Sequence, residues 1–326
     1  MFDNTNISET TDNLLPGLTV VVPVYNRASL LVRCLDSVRN QNLRPLRLIV
    51  VDNASTDGTR TVADEWGQRY ATDDFRVCVI SEERRGACHA RHAGLKRTET
   101  EYVMFFDSDD MMHTDMAMAA FKAFNDKKEA DIVAWPVNYN FLDGTRRQTP
   151  GPDGDPLDSH LIHATLRTVG YAVRTDVLRQ VGGWDNDLKV WDDWELGVRL
   201  LSHTDRVTWI PRPMAEIYSQ AESLTGLDFT SKAGEWEEAL DRIEKVLRAS
   251  QLTRQKHYLN LVDYRRAILA AQYSKEGNRD LAESLLERTL NESHTLKGWQ
   301  KRLIRLLYKY TARDHRGAGR IAVRML

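Results

Sequence analysis

The chain has 326 residues, 42% of them hydrophobic and 28% charged, with a formal net charge of −2. That length makes one large domain or two ordinary ones, and the charge gives no global pull toward nucleic acid. No stretch approaches the roughly 18 apolar residues that span a bilayer, and the first residues, with Asp3, Glu9 and Asp12, lack the apolar core of a secretory signal.

Residues 1–17 read as a polar, flexible N-terminus. Four apolar runs follow, each ending on a polar or acidic group: Leu18–Tyr25 into Asn26 and Arg27, Leu48–Val51 into Asp52, Val77–Ile80 into Glu82 and Glu83, and Tyr102–Phe106 into Asp107-Ser108-Asp109-Asp110. Continuous apolar runs of this length are how buried parallel strands look. Between them, Ser29–Asn40 carries Leu30, Leu31, Cys34, Leu35 and Val38 at helical spacing, with Ser29 as a candidate cap. Thr59–Tyr70 and His89–Lys96 read as further helices. The alternation predicts an α/β fold of βαβ units. In such sheets ligands sit beyond the carboxyl ends of the strands, so Asp52, Asp107 and Asp109 are expected along one edge. Any one of them is ordinary turn chemistry; carboxylates gathered together call for a cation or a polyhydroxylated ligand.

Residues 143–160 form a long Gly/Pro/Asp-rich break. A Gly182-Gly183 turn, a helix from about Asp192 to Ser202 and a strand Val207–Ile210 come next. From Ser231 Gly and Pro nearly vanish, and three or four helices are expected. The predicted organisation is therefore 18–230 as the α/β domain and 231–326 as an all-helical C-terminal region. Cys34, Cys78 and Cys88 cannot all pair within the chain and show no metal-ligand spacing. Cys34 and Cys78 lie in apolar patterns, so the thiols read as buried and reduced, and the protein as cytoplasmic.

Five segments keep order and spacing: VVVPVYNR (20–27), VDNASTDGT (51–59), RRGACHARHAGL (84–95), FFDSDD (105–110) and GGWD…WDDWELGVRL (182–200). Together they resemble family 2 glycosyltransferases of the GT-A fold, a Rossmann-like nucleotide-diphospho-sugar transferase architecture, over roughly residues 18–225. The resemblance implies a nucleotide-diphospho-sugar donor, Mn²⁺ or Mg²⁺, and inversion at the anomeric carbon. Donor-binding residues carried over are Pro23, Tyr25, Asn26, Asp52, Gly86, Arg91, Asp107 and Ser108. Tyr25 offers a flat face for a base, and an ionised Asp52 is a pure acceptor suited to the N3–H of uracil, hence the expected UDP-sugar. Alternation on an extended segment would set Asp107 and Asp109 on one side; by resemblance Asp109 binds the metal, and Asp107 holds the ribose or a metal-bound water. Asp110 is expected to cap the next helix. Asp193 stands where the family has its general base, and Asp192 where Glu is usual. Trp184, Trp191 and Trp194, with Asp192, are acceptor candidates, at least one of the rings being expected in the core.

The chain departs from the family pattern at several places. Arg85 precedes Gly86, His92 follows Arg91, Gly197 replaces an aromatic and is expected to widen the local pocket, and Tyr218–Thr225 lacks the usual His. The function expected is transfer of a hexosyl or N-acetylhexosaminyl group to a hydroxyl of a growing surface glycan on a lipid carrier. A protein or peptide acceptor recognised by the helical tail, and a non-catalytic sugar-nucleotide binding protein, are the alternatives. Over 297–324, Trp299, Leu303, Leu306 and Tyr310 recur at helical spacing among nine Lys and Arg and the single acid Asp314. Such a helix either docks on the catalytic domain or lies peripherally on an anionic membrane, here the inner face.

Overall fold

The computed structural model describes residues 14–219, 228–315 and 317–326. The first apolar runs become β1 (Leu15–Val24), β2 (Leu46–Asp52), β3 (Phe75–Ser81) and β4 (Thr100–Phe105), joined through α1 (Ala28–Arg39), α2 (Thr59–Tyr70) and α3 (Ala87–Arg97). Then come β5 (Met111–Met112), α4 (Met116–Asp126), β6 (Ile132–Ala134), β7 (Asn138–Asn140), β8 (Arg146–Gln148), α5 (Pro156–His163), β9 (Tyr171–Arg174), α6 (Thr175–Gln180), α7 (Asp192–His203), β10 (Val207–Trp209) and β11 (Ala215–Tyr218). Five helices close the chain: α8 (Ala233–Ala249), α9 (Gln255–Lys275), α10 (Arg279–Glu292), α11 (Gly298–Ala312) and α12 (Ala318–Met325).

The main sheet has the order β10-β6-β9-β4-β1-β2-β3. It is parallel except for β9, which runs antiparallel to both β4 and β6. Register makes the carboxyl ends of β1, β2 and β3 flush, with Val24 pairing Asp52 and Asp52 pairing Ser81, while β4 ends at Phe105 opposite Val21, three residues before the end of β1. A second sheet, β5-β11-β7-β8, lies in the same unit. The core under the first strands is aliphatic, with Leu18, Val20, Val22, Leu48 and Val50 against Leu31, Leu35 and Val38 of α1. α3 approaches the sheet at Gly94, where a Cβ would come within 2.3 Å of Val21. Only a residue without a side chain permits that approach.

Two compact units divide the chain. One comprises Met1–Gly151, Thr165–Asp187 and His203–Ala221; the other comprises Pro152–Ala164, Leu188–Ser202 and Glu222–Leu326. The first holds both sheets. In the second, α9 packs against α5, α8, α10 and α11.

Several local expectations are corrected. Ser29 is exposed inside α1 and caps nothing; the first-turn N–H of Ala28 is met instead by Asp57 Oδ2 at 3.3 Å. Cys78 is exposed, because β3 is the sheet's edge strand, while Cys34 and Cys88 are buried. The 143–160 break contains β8 and the start of α5, whose N-terminus Asp155 caps by accepting from Leu157 and Asp158 N–H. Among the described residues the tail has five helices where three or four were expected.

Candidate active site

The flush strand ends place three loops side by side, and two asparagines stitch them. Asn26, at φ 47°, accepts from Thr56 N–H at 2.8 Å, and its own N–H donates to Ser55 Oγ at 3.0 Å. Asn53 donates to Glu82 O and Arg84 O at 2.9 and 2.7 Å and accepts from Gly86 N–H at 2.8 Å. Gly86 has φ 131°, a region only glycine enters without strain. Asn53 was legible only as a turn residue, because its partners lie 29 to 33 residues away.

Beside it Asp52 is 5% exposed, and its Oδ1 is buried with no hydrogen-bond partner. A buried acceptor left unmade costs about 1–3 kcal/mol, so a donor from a ligand is the natural complement. Tyr25 is exposed, and the Arg85 guanidinium stacks 4.1 Å from its ring centroid. Pro23 is buried in β1, one residue before its buried end Val24.

Beyond β4 the acidic segment is a turn rather than an extended strand. β4 stops at Phe105, Ser108 and Asp109 lie in the turn, and Asp110 N–H reaches back to Asp107 O at 3.2 Å. Asp107 pairs with the buried Arg91 at 2.9 Å, and Arg91 in turn lies 4.5 Å from the Trp184 ring centroid. Arg33 donates to Asp109 O at 2.5 Å. Burial, then the neighbouring Asp107, pushes the Asp109 carboxyl up. Asp110 does not cap a helix. It is buried, accepts from Tyr218 N–H at 3.1 Å, and is pushed well up by burial and then by Asp107 and Asp109; Asp115 occupies the N-cap position of α4. Beneath them the Cys34 thiol donates to Asp107 O at 3.4 Å and is pushed up by burial and the three carboxylates, which leaves it a protonated core group rather than a nucleophile.

Among the described residues no three His, Cys, Asp or Glu side chains stand as a ready-made metal cage. Asp107 and Asp109 are nonetheless hard oxygen donors, and Asp109 is buried close enough to Asp107 for its own charge to be disfavoured. That fits a divalent cation that completes its shell from diphosphate and water.

His92 is a packing residue. Its ring sits against Gly183 and bonds the Trp184 backbone, and burial, then Lys96, lowers its basicity. Trp184 is buried and packs edge-on against Phe105 at 5.3 Å.

In the second unit α7 opens with Asp192 and Asp193, both partly exposed. Trp191, just before them, has a left-handed backbone at φ 52°. Its ring packs against Trp194 at 5.1 Å and Trp236 at 4.7 Å, with Arg265 5.4 Å from its centroid. Trp236 and Arg265, which set this corner, come from the tail and carried no motif. Trp194 is buried, and its indole N–H donates to His160 O at 3.0 Å while Trp194 O bonds the His160 ring at 2.9 Å. Of the three tryptophans proposed for the acceptor, Trp191 is therefore the one with accessible surface. Gly197 does not widen a pocket, because a Cβ there would lie 2.2 Å from His160 Nε2, so the imidazole fills the space. Of the segment that lacks the expected His, Tyr218 and Ser219 belong to or follow β11; Gln220–Thr225 lies outside the described residues, as does Arg316 of the tail.

The layout is one of polar loops stitched over the carboxyl edge of a mostly parallel sheet, with an acidic turn beyond a central strand, the edge at which open α/β sheets bind ligands. Residues 19–178, just under half of the chain, match the family model described as Glycosyl transferase family 2, so the chain carries a domain of that family. Glycosyltransferase GlyA of Streptococcus pneumoniae is 35% identical over 127 residues, which is 39% of this chain and 18% of that protein; the chain thus spans well under two thirds of that relative. Among solved structures, S. aureus TarS 1–349 in complex with UDP-GlcNAc superposes with a TM-score of 0.67 at 18% identity, covering 94% of this chain and 89% of that one. The mannosyltransferase PcManGT of Pyrobaculum calidifontis, in complex with GDP-Man and Mn²⁺, gives 0.61 at 20%, covering 95% and 84%. These likenesses establish the GT-A fold, helical C-terminal region included.

Proposed function

We propose that the chain is an inverting glycosyltransferase that moves a hexosyl or N-acetylhexosaminyl group from a UDP-sugar to a hydroxyl of a growing surface glycan on a lipid carrier. The observation that carries the donor side is Asp52, buried at the strand edge with an acceptor oxygen that no protein group meets. Uracil N3–H is a donor of the right kind, and Tyr25 next to it offers a ring face. Asp107 and Asp109 would hold Mn²⁺ or Mg²⁺, which when bound neutralises charge on the departing diphosphate. Arg91 pairs with Asp107 and orients its carboxylate. Asp193 accepts the proton of the acceptor hydroxyl as that oxygen attacks the anomeric carbon, and the nucleoside diphosphate leaves from the opposite face. Trp191, with Asp192, borders the acceptor.

Asp193→Asn tests the assignment. Transfer is expected to fall by about 10²–10⁴-fold, the usual size of a general-base contribution, with UDP-sugar affinity within about twofold of wild type. A variant that retains wild-type transfer would remove Asp193 from the reaction.

A further inference from the structure

We propose that α11 and α12 form a docking face for an anionic lipid surface. The observation is a division of labour on the helix that the sequence pattern did not resolve. α11 docks through Gln300, Ile304 and Leu307, which are buried, and leaves Trp299, Leu306 and Tyr310 exposed at 47%, 64% and 41%, with Leu303 partly so. At 100° per residue the apolar set 299, 303, 306 and 310 falls within about 60° of arc, roughly a quarter turn from the buried face. Arg302 and Lys309, both exposed, flank that stripe on its far side.

α12 repeats the layout. Ala318 and Ala322 are buried, Ile321 and Met325 are exposed, and Arg320 and Arg324 stand one residue before each. The two helices pack on each other, and Leu326 O is held by Asn260 at 2.8 Å and Gln300 at 3.0 Å. Five of the eleven exposed large hydrophobic side chains among the described residues lie on this short stretch.

Charge selects the occupant. Residues 297–326 hold nine Lys and Arg and one acid, Asp314, in a chain that is net acidic elsewhere. Asp314 is already paired with Lys275 at 2.7 Å, and Arg305 with Glu287, so Arg302, Lys309, Arg320 and Arg324 supply the outward positive field. A second copy of the same face would bring like charges together. An anionic lipid surface accepts both parts: cations meet headgroups while Trp, Leu, Ile and Met enter the acyl boundary. No helix among the described residues is long and apolar enough to cross a membrane, so the contact is lateral.

Sedimentation of the full chain with phosphatidylcholine vesicles, with and without phosphatidylglycerol, tests it. Binding is expected only with phosphatidylglycerol and should weaken as salt rises, because exposed charges are screened over about 8 Å at physiological ionic strength. Leu306→Ser with Ile321→Ser, and separately Arg302→Gln with Lys309→Gln, should each reduce binding at least tenfold with the melting temperature unchanged, since all four side chains are outside the core. Failure of wild type to bind at low salt would overturn the proposal. So would binding that survives the apolar pair, or concentration-dependent dimers in place of vesicle binding.

Discussion

Two carboxylate clusters in the same unit show opposite designs. Glu216 on β11 is ringed by donors: Asn138 at 2.8 Å, Asn140 at 2.9 Å, His113 at 2.8 Å and Arg146 at 2.5 Å. Burial alone would raise its pKa, but those bonds hold it down to about 2. Asp107, Asp109 and Asp110, joined to the same strand through Tyr218 N–H, have few donors and one another for neighbours, and both Asp109 and Asp110 are pushed up. The protein completes the first cluster itself, which makes it structural. It leaves Asp109 and Asp110 with raised pKa values, as the proposed cation site requires.

Substitutions separate the two most sharply in activity. Asp109→Asn should lower transfer by about 10²–10³-fold, the scale of losing one group that stabilises transition-state charge. It should leave the fold at least as stable at neutral pH, because an ionised carboxylate with a raised folded pKa opposes folding as pH climbs past its ordinary value. A marked loss of melting temperature would show that the acidic turn is a structural device like Glu216.

Glu216→Gln should do the reverse. Its folded pKa lies below the usual 4.5, so its contribution is present above about pH 4.5 and is lost as pH falls toward 2. The variant should lose about 2 kcal/mol at pH 7, and the difference from wild type should shrink on acidification, measured by denaturant unfolding across that range. An equal difference at pH 7 and pH 3 would break the contrast.

Period and strand ends were legible in the sequence because a buried parallel strand must be apolar along its whole length and must stop where polar groups begin. That located Asp52, Asp107 and Asp109 on one edge. What the sequence could not carry were relations between distant segments. Asp57 replacing Ser29 at the start of α1, Asn53 reaching Glu82 and Gly86, and His160 filling the space over Gly197 all depend on loops brought together by folding. Cys78 looked buried because an edge strand and a central one share the same apolar pattern. The tail posed docking against membrane as alternatives. A helix has more than one side, and α11 buries Ile304 and Leu307 while keeping its periodic stripe outside.

The carboxyl edge of the sheet is proposed to bind a uridine diphosphate sugar together with a divalent cation. Thermal unfolding of the full chain with UDP-GlcNAc, or with GDP-mannose, in Mn²⁺ or in EDTA tests it most directly. Saturating ligand at a hundred times its Kd adds about 2.7 kcal/mol, so UDP-GlcNAc with Mn²⁺ should raise the melting temperature by several degrees. EDTA should abolish most of that rise, and Asp52→Asn should reduce it. A rise with GDP-mannose alone, or one indifferent to EDTA and to Asp52→Asn, would contradict the account.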